Sequence, residues 1–201
     1  MRIYLASRSP RRRELLTQIG VRFDSLLFRD GVRMDPEVDE TPQPGEAADA
    51  YVERLARAKA EHGGRLVVLR HLMPQPVLAA DTSIELDGEI IGKPDNDEHA
   101  SAILQRLSGR AHCVLTGVAV HFGDRTEYVL SKSEVVFRAL ETEEIRRYVL
   151  SGEHCDKAGA YGIQGRAALF VEHLAGDYNG VMGLPLCKTG ELLKRFGHKM
   201  L

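Results

Sequence analysis

The sequence predicts a mixed α/β fold, in which a sheet is flanked by helices. Apolar or alternating runs typical of strands recur along the chain, from residues 2–6 to residues 167–174. Amphipathic helical stretches lie between these runs, most clearly at residues 45–62. No internal repeat, low-complexity tract or linker-like segment interrupts the succession. We therefore expect a single domain over residues 1–201.

The N-terminal part of the chain predicts a strand, a short helix, a second strand and a long helix. Residues 2–6 form the first strand, and residues 10–19 form a helix with proline at its first position. Residues 21–28 predict the second strand. The amphipathic helix over 45–62 is expected to end at Gly63-Gly64, because glycine commonly follows the last turn of a helix.

The rest of the chain predicts a hairpin, a pair of long strands and further helices. Asp87-Gly88 is a typical hairpin turn, and a capping-box pattern at Thr142 begins a helix. Residues 151–165 are too rich in glycine for a helix or an ordinary strand, and such loops are often functional. In chain order the segments are the hairpin 77–91, a helix over 99–107, strands over 111–122 and 128–137, a helix over 141–150, a strand over 167–174, a turn over 176–180 and a last helix from Pro185.

Composition and charge exclude several classes of protein. With 43% hydrophobic and 28% charged residues and a net charge of −2, the chain has no overall attraction to nucleic acid or acidic membranes. No run approaches the ~20 apolar residues of a membrane span, and the N-terminal apolar stretch is too short for a signal peptide. Cys113, Cys155 and Cys187 are scattered without a CxxC spacing, which argues against a disulfide framework or a structural zinc site. We expect a cytoplasmic protein with no membrane attachment and no stable nucleic-acid complex.

The start of the first helix carries a local signal for anion binding. Ser7, Ser9 and the free backbone N–H groups of the helix start form a candidate anion site, with Ser9 as the cap. Arg11 and Arg12 lie in the first turn, where the helix dipole disfavours cations unless an anion is bound. Phosphate binding is the favoured interpretation, and a solvated basic turn is the alternative.

The hairpin contributes a carboxylate and a lysine to a candidate reaction site. Asp81 is expected where its strand leaves the core, and Lys93 where the chain returns. A carboxylate can hold a metal or take a proton from water, and a lysine can neutralise phosphate. Lys59 lies on the buried face of the long helix, and its ammonium group either reaches water or points into a cleft. The acidic loop over 35–42, which contains Glu40, is either a solvated loop or a source of metal ligands.

These charged residues suit a small polyphosphate better than a long nucleic acid. The near-match Gly88-x-x-x-Gly92-Lys93 is not a P-loop, because it is one residue short and lies in a hairpin. Aromatic residues that would stack successive bases are lacking, whereas cations such as Lys157 stand at segment ends. Cleavage of a nucleoside triphosphate requires cations on the phosphates and a carboxylate for metal or water, and these residues could supply both.

The chain resembles the Maf family of nucleoside triphosphate pyrophosphatases along nearly its whole length. The matching blocks occur in the family's order, which is more specific than any one motif. They are LASRSPRR at 5–12 with LL at 15–16, VDE at 38–40, RLA at 54–56 with KA at 59–60, ADT at 80–82 with GKP at 92–94, DKAGAYGIQG at 156–165, and GLPL at 183–186.

The resemblance implies a fold, a reaction and a set of site residues. The implied fold is like that of inosine triphosphate pyrophosphatases, an elongated α/β body with two lobes around a cleft. The implied reaction is hydrolysis of dTTP or UTP to the monophosphate and pyrophosphate with Mg²⁺ or Mn²⁺, in a homodimer. Asp81 falls on the catalytic aspartate, and Glu40 is a possible second metal ligand beside it. Arg11, Thr82 and Gln164 fall on specificity positions, and the Gln164 amide could both donate to and accept from a pyrimidine edge.

Two alternatives to this interpretation remain open. One keeps the enzyme but moves its substrate to 7-methyl-GTP or a modified pyrimidine nucleotide. The other is a non-catalytic nucleotide- or nucleic-acid-binding regulator, since members of the family are linked to septum formation and cell division.

The sequence also departs from the family at His154-Cys155, where a proline-containing pair is more usual, and this makes the assignment of the following Asp156 the weakest.

Overall fold

The computed structural model of the protein describes residues 2–28 and 38–199. Within these ranges seven strands form one mixed sheet. The strands are β1 (Arg2–Leu5), β2 (Arg22–Ser25), β3 (Val77–Leu86), β4 (Glu89–Ile91), β5 (Ala111–Phe122), β6 (Arg125–Phe137) and β7 (Val171–Ala175). The helices are α1 (Pro10–Gln18), α2 (Ala48–Leu69), α3 (Asp97–Leu107), α4 (Thr142–Leu150), α5 (Tyr178–Val181) and α6 (Leu186–Arg195). The predicted mixed α/β fold with a sheet flanked by helices is confirmed.

The sheet combines a parallel edge with an antiparallel body. Its strand order is β2-β1-β3-β5-β6-β7, and β4 pairs with the far half of β3. β1 runs parallel to both β2 and β3, whereas the β3–β5, β5–β6 and β6–β7 pairs are antiparallel. The register of β3 and β5 sets Asp81 opposite Gly117 and Thr82 opposite Thr116, so the middle of the sheet carries polar side chains.

Side-chain alternation along β3 divides the core between the two faces of the sheet. Leu78 and Ala80 belong to the larger cluster, which also contains buried side chains of α1, α3, α4 and α6. Val77 and Ala79 belong to a second cluster, which packs under α2. Buried side chains therefore pack on both faces of the sheet at β3. No helix in the described part of the chain is long and apolar enough to cross a membrane.

The long helix α2 overturns one prediction, because it continues through Gly63-Gly64 to Leu69. A Cβ atom at Gly63 would lie 2.7 Å from Cγ1 of Val77 in β3, and one at Gly64 would overlap the ring of His121 in β5. The glycines are therefore sites where the helix backbone closely approaches the sheet, not a helix end. The apolar stretch after them belongs to the same helix, and Leu66 is buried in the core.

Several other boundaries differ from those predicted. The strand predicted over 21–28 is shorter and spans Arg22–Ser25. The segment predicted as a strand over 167–174 begins instead with a 3₁₀ turn over Arg166–Leu169. This turn fits the burial pattern, because Ala167 and Phe170 are buried while the residues between them are exposed. The capping box of α4 is formed by the side chains of Glu141 and Glu144, not by Thr142. The segments predicted as a hairpin, as a helix before β5 and as two long strands are confirmed.

Three further predictions concern a helix cap, a turn and a loop. Ser9 precedes α1 in extended conformation with Pro10 at the first helical position, but its side chain makes no capping hydrogen bond. The segment predicted as a turn at 176–180 contains the start of α5, which Asp177 caps by accepting a hydrogen bond from the Gly180 N–H group. Residues 35–37 of the predicted acidic loop lie outside the described residues.

Candidate active site

A single cleft of about 1440 Å³ collects most of the residues predicted to act on substrate. Its wall is formed by the β1–α1 turn, the loop over residues 38–42, the middle of β3 and the glycine-rich loop. The predicted site residues that line it are Ser7, Ser9, Arg11, Arg12, Glu40, Lys59, Asp81, Thr82, Lys93 and Lys157. Residues that are far apart in sequence thus lie on one surface, as expected if the separate motif blocks form one site.

Asp81 lies inside β3 rather than at its end, because the strand continues to Leu86. The expectation that the strand leaves the core at Asp81 is therefore wrong. The position still suits a reactive carboxylate, since Asp81 is only 8% exposed and lines the cleft. A strand interior also fixes the direction of its side chain more firmly than a loop would.

Lys59 joins the two carboxylates that sequence analysis assigned to metal or catalysis. Its Nζ lies 2.7 Å from Asp81 Oδ1 and 2.7 Å from Glu40 Oε1. Of the two orientations left open for this lysine, the structure shows the one in which it points into the cleft. Burial by itself opposes ionisation of Glu40, but the charges of Lys59, Lys93 and Arg12 together hold the pKa of this carboxyl below its usual value.

Side chains of α2 hold the backbone of the loop that carries Glu40. Tyr51 Oη donates to the Glu40 carbonyl oxygen at 2.8 Å, and the Arg54 guanidinium donates to the Asp39 and Thr41 carbonyl oxygens at 3.2 and 3.1 Å. Burial, with the charges of Asp81 and Glu40, raises the pKa of Tyr51 to about 12, so the phenol remains a hydrogen-bond donor at neutral pH. Sequence reasoning missed Tyr51, because nothing in a helix pattern shows what its hydroxyl reaches.

Arg12 is held on three sides by oxygen atoms of the cleft. Its Nε donates to the Gly183 carbonyl at 2.9 Å, its Nη1 to Ser7 Oγ at 3.2 Å, and its Nη2 to Thr82 Oγ1 at 3.1 Å. Burial lowers the pKa of the Arg12 guanidinium, and the charges of Asp81 and Glu40 oppose that effect. The side chain is therefore an oriented cation, with two of the five N–H donors of a guanidinium left for a ligand.

The other cations reach the cleft from different segments. Arg11 lies against the backbone of Gly162, where a Cβ atom would overlap its guanidinium. Lys157 donates to the Cys155 carbonyl oxygen at 3.3 Å, and burial followed by the charge of Arg11 lowers its pKa. Lys93 is exposed just after β4. A ligand with negative charge spread over several atoms would match this arrangement.

Gln164 does not share this surface in the structure. Gln164 is exposed and does not line the cleft, whereas Tyr161 and Ile163 of the same loop do line it. The loop is held from behind by the hydrogen bond between Tyr161 Oη and His112 Nε2, 2.8 Å apart. The assignment of Gln164 to base recognition therefore stays a prediction.

Thr116 is a second polar residue near the site that sequence reasoning missed. It is fully buried in β5, and its Oγ1 lies 2.9 Å from Thr82 Oγ1. A usable signal was present, since Thr116 interrupts the apolar run of residues 114–120. Only the strand register places it beside Thr82, however.

The donor set of the cleft is compatible with a divalent metal ion. Glu40 and Asp81 both contact Lys59 Nζ, so their carboxylates face one small region. The described residues contain no group of three or more His, Cys, Asp or Glu side chains that could hold a metal on their own. Mg²⁺ is commonly bound by one or two carboxylates with water and substrate phosphates completing its shell, and this set fits that pattern.

Comparison with known proteins identifies the family. The model of the Maf-like protein family matches residues 2–196. The chain belongs to the Maf family.

Two relatives of known name match nearly the whole chain. The dTTP/UTP pyrophosphatase of Dechloromonas aromatica is 66% identical over 201 residues, which is 100% of both chains. The dTTP/UTP pyrophosphatase of Aromatoleum aromaticum is 60% identical and covers 99% of this chain and 97% of its own. Among solved structures, the Ham1 protein of Staphylococcus aureus aligns with 68% of this chain and 72% of its own at a TM-score of 0.44 and 17% identity.

Proposed function

We propose that this Maf protein is a nucleoside triphosphate pyrophosphatase that hydrolyses dTTP and UTP to the nucleoside monophosphate and pyrophosphate. The observation that carries the proposal is the convergence of Asp81, Lys59 and Glu40 inside a cleft lined by cations. The full-length relatives with 66% and 60% identity, both named dTTP/UTP pyrophosphatase, support the choice of substrate.

The charge pattern of the cleft suits a triphosphate. Arg11, Arg12, Lys93 and Lys157 line it beside the carboxylate pair, so phosphate oxygens would meet cations contributed by separate segments. Positioned cations stabilise the charge that develops on the leaving pyrophosphate, which is the largest contribution expected of a phosphoryl-transfer site. Arg12 is the best oriented of these groups because three oxygens fix its guanidinium.

The proposed reaction joins one water molecule to the α-phosphorus. The new P–O bond forms as the bond between the α-phosphorus and the bridging oxygen to the β-phosphorus breaks, and pyrophosphate leaves with that oxygen. Asp81 acts on this step through its carboxylate, either by taking the proton of the attacking water or by holding a metal. Lys59 fixes the orientation of Asp81 through the 2.7 Å contact.

We propose Mg²⁺ or Mn²⁺ as the cofactor, held by Asp81 and Glu40. Such an ion would neutralise negative charge on the phosphate oxygens when bound. Its support is the chemistry of the two carboxylates and their approach to a common Nζ. Isothermal titration with Mg²⁺ or Mn²⁺, compared between the wild type and Glu40→Gln, tests this binding without any turnover.

The decisive experiment measures products and the atom attacked. The protein is incubated with dTTP, UTP, CTP and 7-methyl-GTP in Mg²⁺, and pyrophosphate, orthophosphate and monophosphate are quantified. In H₂¹⁸O, attack at the α-phosphorus places the label in the monophosphate. Label in pyrophosphate, release of orthophosphate alone, or preference for 7-methyl-GTP would contradict the proposal. Binding of single-stranded nucleic acid that falls steeply with salt, without turnover, would favour the regulator.

We also propose, from the family resemblance, that the protein acts as a homodimer in the cytoplasm. Sedimentation equilibrium of the purified chain tests the dimer, and a single species at the monomer mass would contradict it. Fractionation of cells that produce the protein tests the location.

A further inference from the structure

A series of hydrogen bonds through two threonine hydroxyl groups leads from Arg12, at the cleft, into the core. Thr82 and Thr116 are directly paired across β3 and β5, with their Oγ1 atoms 2.9 Å apart. Thr116 Oγ1 donates in turn to the carbonyl oxygen of Gly180 in α5, at 2.7 Å. Thr116 and Gly180 are both buried, so water does not offer these groups alternative partners.

The direction of every hydrogen bond in this series is fixed by its first and last groups, the Arg12 guanidinium and the Gly180 carbonyl. A carbonyl oxygen only accepts, so the one hydrogen of the Thr116 hydroxyl is used on Gly180. Thr116 can then only accept from Thr82, and the hydrogen of the Thr82 hydroxyl is used on Thr116. At the other end a guanidinium only donates, so Thr82 also accepts from Arg12 Nη2 at 3.1 Å.

The series of hydrogen bonds closes into a ring, because the backbone that follows Gly180 returns to Arg12 at Gly183. Gly183 accepts from Arg12 Nε at 2.9 Å, three residues after the carbonyl that receives the Thr116 hydrogen. Gly180 is itself fixed, because its N–H group donates to Asp177 Oδ1 at 3.0 Å and a Cβ atom there would lie 2.7 Å from Ser131 Oγ. The ring therefore couples the guanidinium of Arg12 to a rigid part of the core.

We propose that Thr116 is a positioning residue. By taking up the hydrogen of the Thr82 hydroxyl, it leaves Thr82 with only acceptor lone pairs toward the cleft and thereby orients Arg12 toward the substrate. This inference rests on the proposed function and deepens it. Because the hydrogen of Thr82 is already used, Thr82 meets a donor of the nucleotide, such as a sugar hydroxyl or a ring N–H group. Phosphate oxygens, which only accept, are left to Arg12 and the other cations.

The test compares variants that remove or keep the Thr116 hydroxyl. Thr116→Val removes it at nearly constant volume, and Thr116→Ser keeps it. Thr189→Val is the matched control, because Thr189 is equally buried in α6 but its hydroxyl has no hydrogen-bond partner among the described residues. For dTTP and UTP we expect Thr116→Val to lower kcat/KM about tenfold, mainly through KM. Thr116→Ser and Thr189→Val should stay near the wild type.

A second measurement follows Arg12 without turnover. The Arg12 Nε–H signal, assigned by its loss in Arg12→Lys, should shift or exchange faster with water in Thr116→Val and return in Thr116→Ser. An unchanged signal and unchanged KM in a folded Thr116→Val would overturn the proposal. If the valine variant does not fold, Thr116→Ala removes the same hydroxyl, and wild-type values there have the same meaning. A wild type that releases no pyrophosphate from dTTP refutes the proposed function, while the Arg12 signal still tests the ring.

Discussion

Lys59 Nζ lies 2.7 Å from Asp81 Oδ1, a contact that ties the middle of α2 to the middle of β3. The side chains are 15% and 12% exposed, so solvent screens their attraction only weakly. The same ammonium group contacts Glu40, whose side chain is 48% exposed. One cation therefore compensates two carboxylates that would otherwise repel each other in a cleft.

Asp81→Asn should abolish most of the catalysis while leaving the fold intact. The amide oxygen can still accept from Lys59, but the group can no longer take a proton or carry the charge that a metal prefers. We expect kcat for pyrophosphate release to fall at least ~100-fold. Asp87→Asn, at an exposed carboxylate in the hairpin turn, is the control and should keep wild-type activity. Partial recovery of Asp81→Asn at high Mg²⁺ would assign Asp81 to metal binding, and no recovery would assign it to proton transfer.

Lys59→Met should destabilise the protein in a way that a divalent cation reverses. Removing the ammonium group leaves Asp81 and Glu40 without their shared partner, at a cost of about 2 kcal/mol and a melting temperature lower by about 4–8 °C. A metal bound by both carboxylates would restore part of that loss. Thermal melts with Mg²⁺ or EDTA measure the effect. Lys194→Met, at an exposed pair with Glu191, should change little under either condition. Equal melting of Lys59→Met in Mg²⁺ and EDTA would count against the metal site.

Much of the fold could be predicted because its pattern is local. The strand period along 111–122, the Asp87-Gly88 turn and the proline at the start of α1 each report their own conformation. The length of α2 could not be predicted, since Gly63 suits a helix end as well as a close approach to a sheet. Only the position of Val77 against it, a tertiary contact, decides between the two.

The site divides in the same way between charged side chains and their supports. Arg12, Lys59 and Asp81 could be proposed from sequence, because a charge in the first turn of a helix, on the buried face of a helix or within an apolar run is unusual enough to attract attention. Their supports could not, because the carbonyl of Gly183 and the hydroxyl of Thr116 become visible only through the chain's tertiary path. Sequence thus names the groups that meet a ligand better than the groups that orient them.

Gly63→Ala should destabilise the protein despite the higher helix propensity of alanine. The propensity gain is about 1 kcal/mol. The added Cβ atom would lie 2.7 Å from Val77 Cγ1 in the buried core, and overpacking of this kind costs about 1–3 kcal/mol. Urea unfolding measures the difference. Gly92→Ala is the control because a Cβ atom there meets nothing within 4 Å. A Gly63→Ala variant more stable than the wild type would show that α2 is not tightly packed on the sheet.

His112 should make the stability of the protein fall as pH drops below neutrality. Burial lowers the pKa of this imidazole from 6.5 to about 4. Between those values the unfolded chain binds a proton that the folded chain does not, so the stabilisation is complete above pH 6.5 and is lost on acidification toward pH 4. The difference amounts to roughly 3 kcal/mol.

Urea unfolding at several pH values should therefore show a flatter dependence of stability on pH for His112→Gln than for the wild type over this range. His173→Gln, at an exposed histidine of β7, should keep the wild-type slope. Parallel profiles for His112→Gln and the wild type would mean that the imidazole is protonated in the fold, and that its contact with Tyr161 does not depend on a neutral ring.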